Sequence, residues 1–295
     1  MQISSRILTC TSVNDILSEW ACALGGNMKI KIEKHGRVAV LVLNNPPMNV
    51  VTLELTREMS KALAELAADP EVGALILTGE GDRAFCAGSD IKEFPGLVAD
   101  RAIVSRKLGF ENETYGQVAH FPKPTIAAIE GLALGGGLEL AAGCDFLVVS
   151  ANARLGLPEI KLGGFPSSGG TVRVTQRIGL ARAKEMMMFG DMIDAETALA
   201  WRLVNKVVPS GQVRAAALEM AARLAAGPAQ AMYACKKAIE DAVNCPEAEA
   251  IATALRLSEG LSRTADFSEG VRAFTEKTPA RFSDRLDVRV FDVAG

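Results

Sequence analysis

The chain has 295 residues, 49% hydrophobic and 23% charged, enough length and apolar content to bury a large core, and this excludes disorder as its main state. Its 32 Lys and Arg against 35 Asp and Glu leave a net charge of −3, which gives no field to recruit nucleic acid or an anionic membrane surface. With 5% aromatic residues against 27 glycines, the core is expected to pack with Ala, Leu, Val and Ile.

Residues 1–27 carry one arginine, Arg6, and the early acids Asp15 and Glu19, which fits neither a secretory signal nor an Arg-rich transit segment. We read them as an N-terminal extension whose removal leaves folding and activity intact. Alternation starts at Met28: Lys29 to Glu33 and Val38 to Leu43 flank Gly36 and predict a β-hairpin. Thr52 is placed to cap a helix whose apolar positions Leu55, Met59, Leu63 and Leu66 recur at helical spacing up to Asp69-Pro70. Short apolar runs at Ala74–Thr78, Thr125–Ile129 and Phe146–Ser150 predict buried strands tied to helical segments, an α/β layering. From Val213 onward the pattern is helical: Ala215–Ala225, Gly227-Pro228 through Ala242, and Ala248–Leu261. The expected organisation is therefore an extension (1–27), a core (28–212) and a C-terminal helical region (213–295).

The most apolar stretch, Ile126 to Ala151, holds Glu130, Glu139 and Asp145, which argues against a membrane span and for a soluble protein. The six cysteines are scattered with no CxxC pair, so neither a zinc site nor a disulfide framework is expected, and a reducing, cytoplasmic location fits best. The two histidines, His35 and His120, lie far apart, so no metal centre is expected and histidine-based nucleophilic schemes have only these candidates.

Two Gly-rich segments stand out at strand-to-helix turns, Ala84-Phe85-Cys86-Ala87-Gly88-Ser89-Asp90-Ile91-Lys92 and Gly131-Leu132-Ala133-Leu134-Gly135-Gly136-Gly137-Leu138-Glu139. Glycines there let backbone N–H groups face a ligand, and a helix start favours negative charge, so two such turns can form an oxyanion hole. The plainer reading is that they only permit tight packing. Neither segment matches a dinucleotide or phosphate-loop fingerprint, which disfavours nicotinamide and ATP chemistry. Glu139 and Glu159 each stand among apolar residues, where desolvation raises a carboxyl pKa toward neutrality and suits acid/base work. Asp90 is expected to cap the turn after it, and Cys86 to be a packing residue rather than a nucleophile.

Phe85-Cys86-Ala87-Gly88-Ser89-Asp90-Ile91-Lys92, Gly135-Gly136-Gly137-Leu138-Glu139, Leu157-Pro158-Glu159-Ile160-Lys161-Leu162-Gly163, Pro166-Ser167-Ser168-Gly169-Gly170-Thr171 and the tail motifs Phe267-Ser268-Glu269-Gly270 and Phe274-Thr275-Glu276-Lys277 occur in order. Together they resemble the crotonase superfamily, the enoyl-CoA hydratase/isomerase family, over about Met28 to Arg281. The resemblance implies a spiral of ββα units with a C-terminal helical trimerisation region, often paired into hexamers, hence a homotrimer or homohexamer here. It implies that the backbone N–H groups of Ser89 and Gly136 hold a thioester carbonyl as it becomes an enolate, and that Glu139 and Glu159 are the acid/base pair of a hydratase acting on trans-2-enoyl-CoA. No cofactor is implied beyond the coenzyme A of the substrate itself.

For that coenzyme A the resemblance points to the backbone around Cys86, Ala87 and Ser89, with Lys92, Phe274 and Lys277 near adenine or phosphate. The competing reading makes Lys92 and Lys277 solvated helix residues and Phe274 a core anchor. Ser167 departs from a glycine of the family pattern whose N–H helps hold the water in hydratases. The alternatives are Δ3,Δ2-enoyl-CoA isomerisation with Glu159 alone, and a non-catalytic protein that binds CoA esters.

Overall fold

A computed structural model describes residues 28–292, so the extension read over 1–27 lies outside the described residues. Strands β1 (Ile30–His35) and β2 (Val38–Leu43) form the expected hairpin, antiparallel, with Gly36 turning at φ +59°. The Thr52 hydroxyl accepts from the Leu55 N–H at the head of α1 (Leu53–Ala68), and Leu55, Met59, Leu63 and Leu66 are all buried, as their spacing predicted.

Three strand pairs follow: β3 (Ala74–Gly79) with β4 (Ala84–Cys86), β5 (Thr125–Ile129) with β6 (Leu132–Leu134), and β7 (Phe146–Ser150) with β8 (Arg154–Gly156). The first member of each pair joins one sheet and the second joins another. Helices close each pair: α2 (Phe94–Ala99) and α3 (Gly109–Ala119) after β4, α4 (Gly136–Ala142) after β6, and α5 (Gly170–Phe189) after β8, the last broken at Gly179. Strand β9 (Ile193–Asp194), helix α6 (Ala195–Ala200) and β10 (Lys206–Val208) complete the two sheets. The larger runs β1-β2-β3-β5-β7-β10 and the smaller β4-β6-β8-β9. Apart from the first hairpin and the β8–β9 pairing, all neighbours are parallel. This succession is the spiral of ββα units that the resemblance implied.

The larger sheet is buried on both faces, which is why β2 reads as an unbroken apolar run. Ala39, Leu41, Leu43, Leu75 and Leu77 face the interior shared with α1 and the small sheet. Val38, Val40, Val42, Ala74 and Ile76 face the other way and meet Val213, Ala217, Ala221 and Ala225 of α7 (Val213–Ala225). The i, i+4 spacing of small residues lets α7 lie close on the strands. Beyond it come α8 (Ala229–Asn244), α9 (Glu247–Leu261) and α10 (Ala265–Glu276), with Phe291 stacked on Tyr233 at 5.4 Å between ring centres. Among the described residues, no helix is long and apolar enough to cross a membrane.

Candidate active site

Ser89 follows β4 and Gly136 follows β6, two paired parallel strands, so neighbouring strand ends carry both residues to one place. The Val51 N–H donates to Gly88 O (2.9 Å) and the Asp90 N–H to Val51 O (2.9 Å), which turns the Ser89 N–H between them away from that pairing. Among the described residues neither it nor the Gly136 N–H has a protein acceptor. A Cβ added to Gly136 would stand 3.6 Å from Ser89 N and 3.1 Å from the Tyr115 hydroxyl oxygen, so any side chain at 136 would crowd the space both face. At Gly137 the approach is closer: its Cβ would lie 2.1 Å from the Cys86 carbonyl oxygen, a backbone atom that cannot turn aside. Gly137→Ala is therefore expected to destabilise the protein by about 3 kcal/mol or more. Thermal unfolding measures this, and an unchanged midpoint would show that the two turns need no such contact.

Glu139 comes from the helix that Gly136 begins, and Glu159 from a separate turn. Glu139 lies one turn into α4, 4% exposed, and its Oε1 accepts the N–H groups of Ser168 and Gly170, both at 2.8 Å. Burial pushes its carboxyl up to about 7; the Gly170 donor opposes the shift and the charge of Glu159 adds to it. Glu159 sits in the turn Pro158–Leu162, half-buried, with its pKa raised by desolvation. Its Oε1 is 3.1 Å from where a Gly135 Cβ would stand, and its Oε2 is buried without a hydrogen-bond partner. Ser168 and Gly170, rather than the exposed Ser167, grip the carboxylate of Glu139.

A charged cluster missed in the sequence backs the Ser89 turn. Ser89 Oγ donates to Glu111 Oε1 (2.8 Å), and Glu111, 1% exposed, pairs with the Lys107 ammonium at 2.9 Å. Lys107 is fully buried and donates also to Glu93 (2.6 Å) and to Val51 O (3.0 Å). Burial raises the Glu111 pKa against the opposing Lys107 charge and the hydrogen bonds of Lys107 and Ser89. Lys107, Glu111 and Tyr115 recur every four residues, a spacing that puts them on one helical face but carries no mark of their burial.

The residues expected around coenzyme A divide. Cys86 is fully buried with its thiol pushed up to about 12, a packing residue as expected, and the Ala87 N–H is taken by Met48 O at 3.0 Å. Asp90 caps the turn after it through Lys92 N (3.1 Å), and the Lys92 side chain is exposed. Lys277 is exposed at the end of α10, and Phe274 is 88% exposed, which corrects its alternative reading as a core anchor: only the apolar stripe of one helix suggested cover. Among the described residues, no hydrogen bond or ion pair ties Phe274 or Lys277 to the cluster around Ser89. His35 and His120 lie at the surface beside Glu33 and Glu240.

Two stacked sheets wound from ββα turns, with backbone donors and buried carboxyl groups gathered at the strand ends, define a crotonase-fold enzyme. Residues 33–285 match the enoyl-CoA hydratase/isomerase family, and the chain belongs to that family. It is 39% identical to a protein of Rhizobium meliloti described as a probable enoyl-CoA hydratase, over 86% of this chain and 97% of that one. A short-chain-enoyl-CoA hydratase of Clostridium acetobutylicum is 36% identical over 83% of this chain and 94% of its own length. The crystal structure of an enoyl-CoA hydratase from Bacillus anthracis superposes with a TM-score of 0.82 at 34% identity, covering 86% of this chain and 98% of that one.

Proposed function

We propose that the enzyme adds water across the C2–C3 double bond of a trans-2-enoyl-CoA, with Glu139 and Glu159 as its acid/base pair. The observation that carries this reading is the pair of desolvated carboxyl groups, Glu159 beside Gly135 and Glu139 held by Ser168 and Gly170, close enough that the charge of Glu159 raises the pKa of Glu139. In the scheme, a water oxygen bonds to C3 while Glu139 takes one of its protons. The π electrons move through C2 onto the thioester oxygen, which the N–H groups of Ser89 and Gly136 hold as an enolate. Glu159 then delivers a proton to C2 and the carbonyl re-forms. Two N–H donors on Glu139 favour its ionised form and the role of base. Two preorganised donors at the developing charge are worth roughly 10²-fold or more in rate each.

The relatives named as hydratases support the hydration. Isomerisation needs one carboxyl group, Glu159; the grip on Glu139 favours hydration. Purified protein mixed with crotonyl-CoA should bleach the conjugated thioester absorbance and yield 3-hydroxybutyryl-CoA by mass. Double-bond migration in a 3-enoyl-CoA without any hydration would transfer the assignment to isomerisation, and a bound ester left unchanged would favour the non-catalytic alternative.

The pH profile follows from Glu139. A base must be ionised, and its pKa of about 7 puts half the population in the inactive protonated form at that pH. The kcat/KM is expected to rise about tenfold per pH unit well below neutrality and to fall again at higher pH, where Glu159 loses the proton it must deliver. A flat profile between about pH 5.5 and 8 would remove Glu139 as the base.

Under the same reading the enzyme works in the cytoplasm as a homotrimer or homohexamer joined through its C-terminal helices. Coenzyme A enters as part of the substrate, with the backbone near Cys86, Ala87 and Ser89 and the side chains of Lys92, Phe274 and Lys277 as its contacts, and no other cofactor takes part. Exposed apolar side chains such as Leu180, Phe189 and Ile239 support self-association.

A further inference from the structure

Tyr115 on α3 is one of the largest fully buried side chains in the protein, yet its hydroxyl oxygen has no hydrogen-bond partner among the described residues. A buried phenol normally finds one, because stripping a hydroxyl of water without replacement is unfavourable. The groups nearest in chemistry are already engaged. Glu111, one turn earlier on the same helix, takes the Ser89 hydroxyl and the Lys107 ammonium. The oxygen of Tyr115 lies 3.1 Å from where a Gly136 Cβ would stand, and Ser89 N lies 3.6 Å from that same point. The lone hydroxyl therefore stands beside the two unpaired backbone donors, on the side that only a glycine at 136 leaves open.

We propose that the Tyr115 hydroxyl is a third donor to the thioester oxygen, completing with the Ser89 and Gly136 N–H groups a three-point hole for the enolate. This rests on the reading that the oxygen binds between Ser89 and Gly136. The phenol stays protonated: burial and the charges of Glu111, Glu139 and Glu159 all raise its pKa well above the ordinary value, so it donates at any working pH. Its hydrogen bond strengthens as negative charge grows on the oxygen, so it acts on the transition state more than on the bound substrate. A buried, preformed donor also needs no reorganisation at the moment of reaction.

The test is Tyr115→Phe, which removes one oxygen and keeps the ring that fills the core. With crotonyl-CoA, kcat is expected to fall roughly 10- to 100-fold while KM stays within about twofold, the pattern of an interaction made only in the transition state. The second readout is binding of acetoacetyl-CoA, a 3-ketoacyl thioester whose enolate has its own near-ultraviolet band. The parent should stabilise the bound enolate, and Tyr115→Phe should need a higher pH to reach the same enolate fraction. Thermal unfolding of the variant should match or exceed the parent's, since the lost group has no partner among the described residues. Equal enolisation in parent and variant would overturn the proposal, including the case where kcat alone falls, which would assign the hydroxyl to the attacking water. A parent that binds acetoacetyl-CoA without enolising it would overturn the hole at Ser89 and Gly136 together with the third donor.

Discussion

Glu139→Gln and Glu159→Gln are each expected to lower crotonyl-CoA hydration about 10³-fold, within the range of a lost acid or base. The two variants differ in what they do to the fold. Glu139→Gln keeps a side-chain oxygen that can accept from Ser168 and Gly170, the two bonds that hold the parent side chain at 2.8 Å, and it loses only the charge. That charge is unfavourable to folding: the carboxyl is raised from 4.5 to about 7, so the native state binds a proton more tightly than the unfolded chain. Stability from this group is full below about pH 4.5 and falls as pH rises through about 7. At pH 8 the Glu139→Gln protein should therefore unfold at a higher temperature than the parent while remaining nearly inactive. A variant that is both inactive and less stable would mean that the carboxylate supports the local structure, and its kinetic loss would then say little about chemistry. For Glu159→Gln the same comparison tests a carboxyl oxygen that has no partner to lose.

The second large effect concerns Lys107. Its ammonium is wholly buried and serves Glu93, Glu111 and the Val51 carbonyl at 2.6 to 3.0 Å. Lys107→Met fills much of the same volume but leaves Glu111 charged, 1% exposed and short of its cation. Breaking one side of a buried ion pair is unfavourable by about 3–5 kcal/mol, which for a domain of this size lowers the unfolding midpoint by roughly 10 °C. Because Glu111 also receives the Ser89 hydroxyl, the turn that carries one donor of the hole should loosen, and hydration should slow about tenfold. The double variant Lys107→Met with Glu111→Gln removes the orphaned charge and should recover most of the lost stability. Circular dichroism on heating measures all three proteins. A double variant no more stable than the single one would show that packing, rather than charge, is what Lys107 supplies.

Why these residues escaped the sequence reading is physical. The strands and α1 were legible because unbroken apolar runs in strands buried on both faces, and burial at a spacing of three to four in a helix, leave a mark in the chain itself, and Leu55, Met59, Leu63 and Leu66 carry the helical mark plainly. The Gly-rich turns and the acids Glu139 and Glu159 stood out because glycines and carboxyls lie in apolar surroundings there, whereas Ser89 and Gly136 were singled out by the family resemblance. Lys107 and Glu111 have the spacing of an ordinary solvated pair on a helix, and only the tertiary cover of neighbouring elements makes them buried. Nothing local distinguishes the two situations. Phe274 shows the converse for its competing reading as a core anchor: with Phe267 and Val271 it makes an apolar stripe on α10, and in the described chain these three are 49 to 88% exposed.

The pairing of β4 with β6 has a consequence for geometry at the reacting oxygen. Adjacent strands in a sheet run about 4.8 Å apart. Two N–H groups at that separation, each about 2.9 Å from a shared oxygen, would subtend an angle near 110° there, close to the spread of a carbonyl's two lone pairs. Strand pairing thus offers the proposed hole a spacing that belongs to main chain rather than to side chains. The Ser89 side chain steadies its turn through Glu111, and the Val51 pairing at 2.9 Å on either side aims its N–H, so loss of that pairing would leave the proposed oxygen site with Gly136 as its one backbone donor among the described residues.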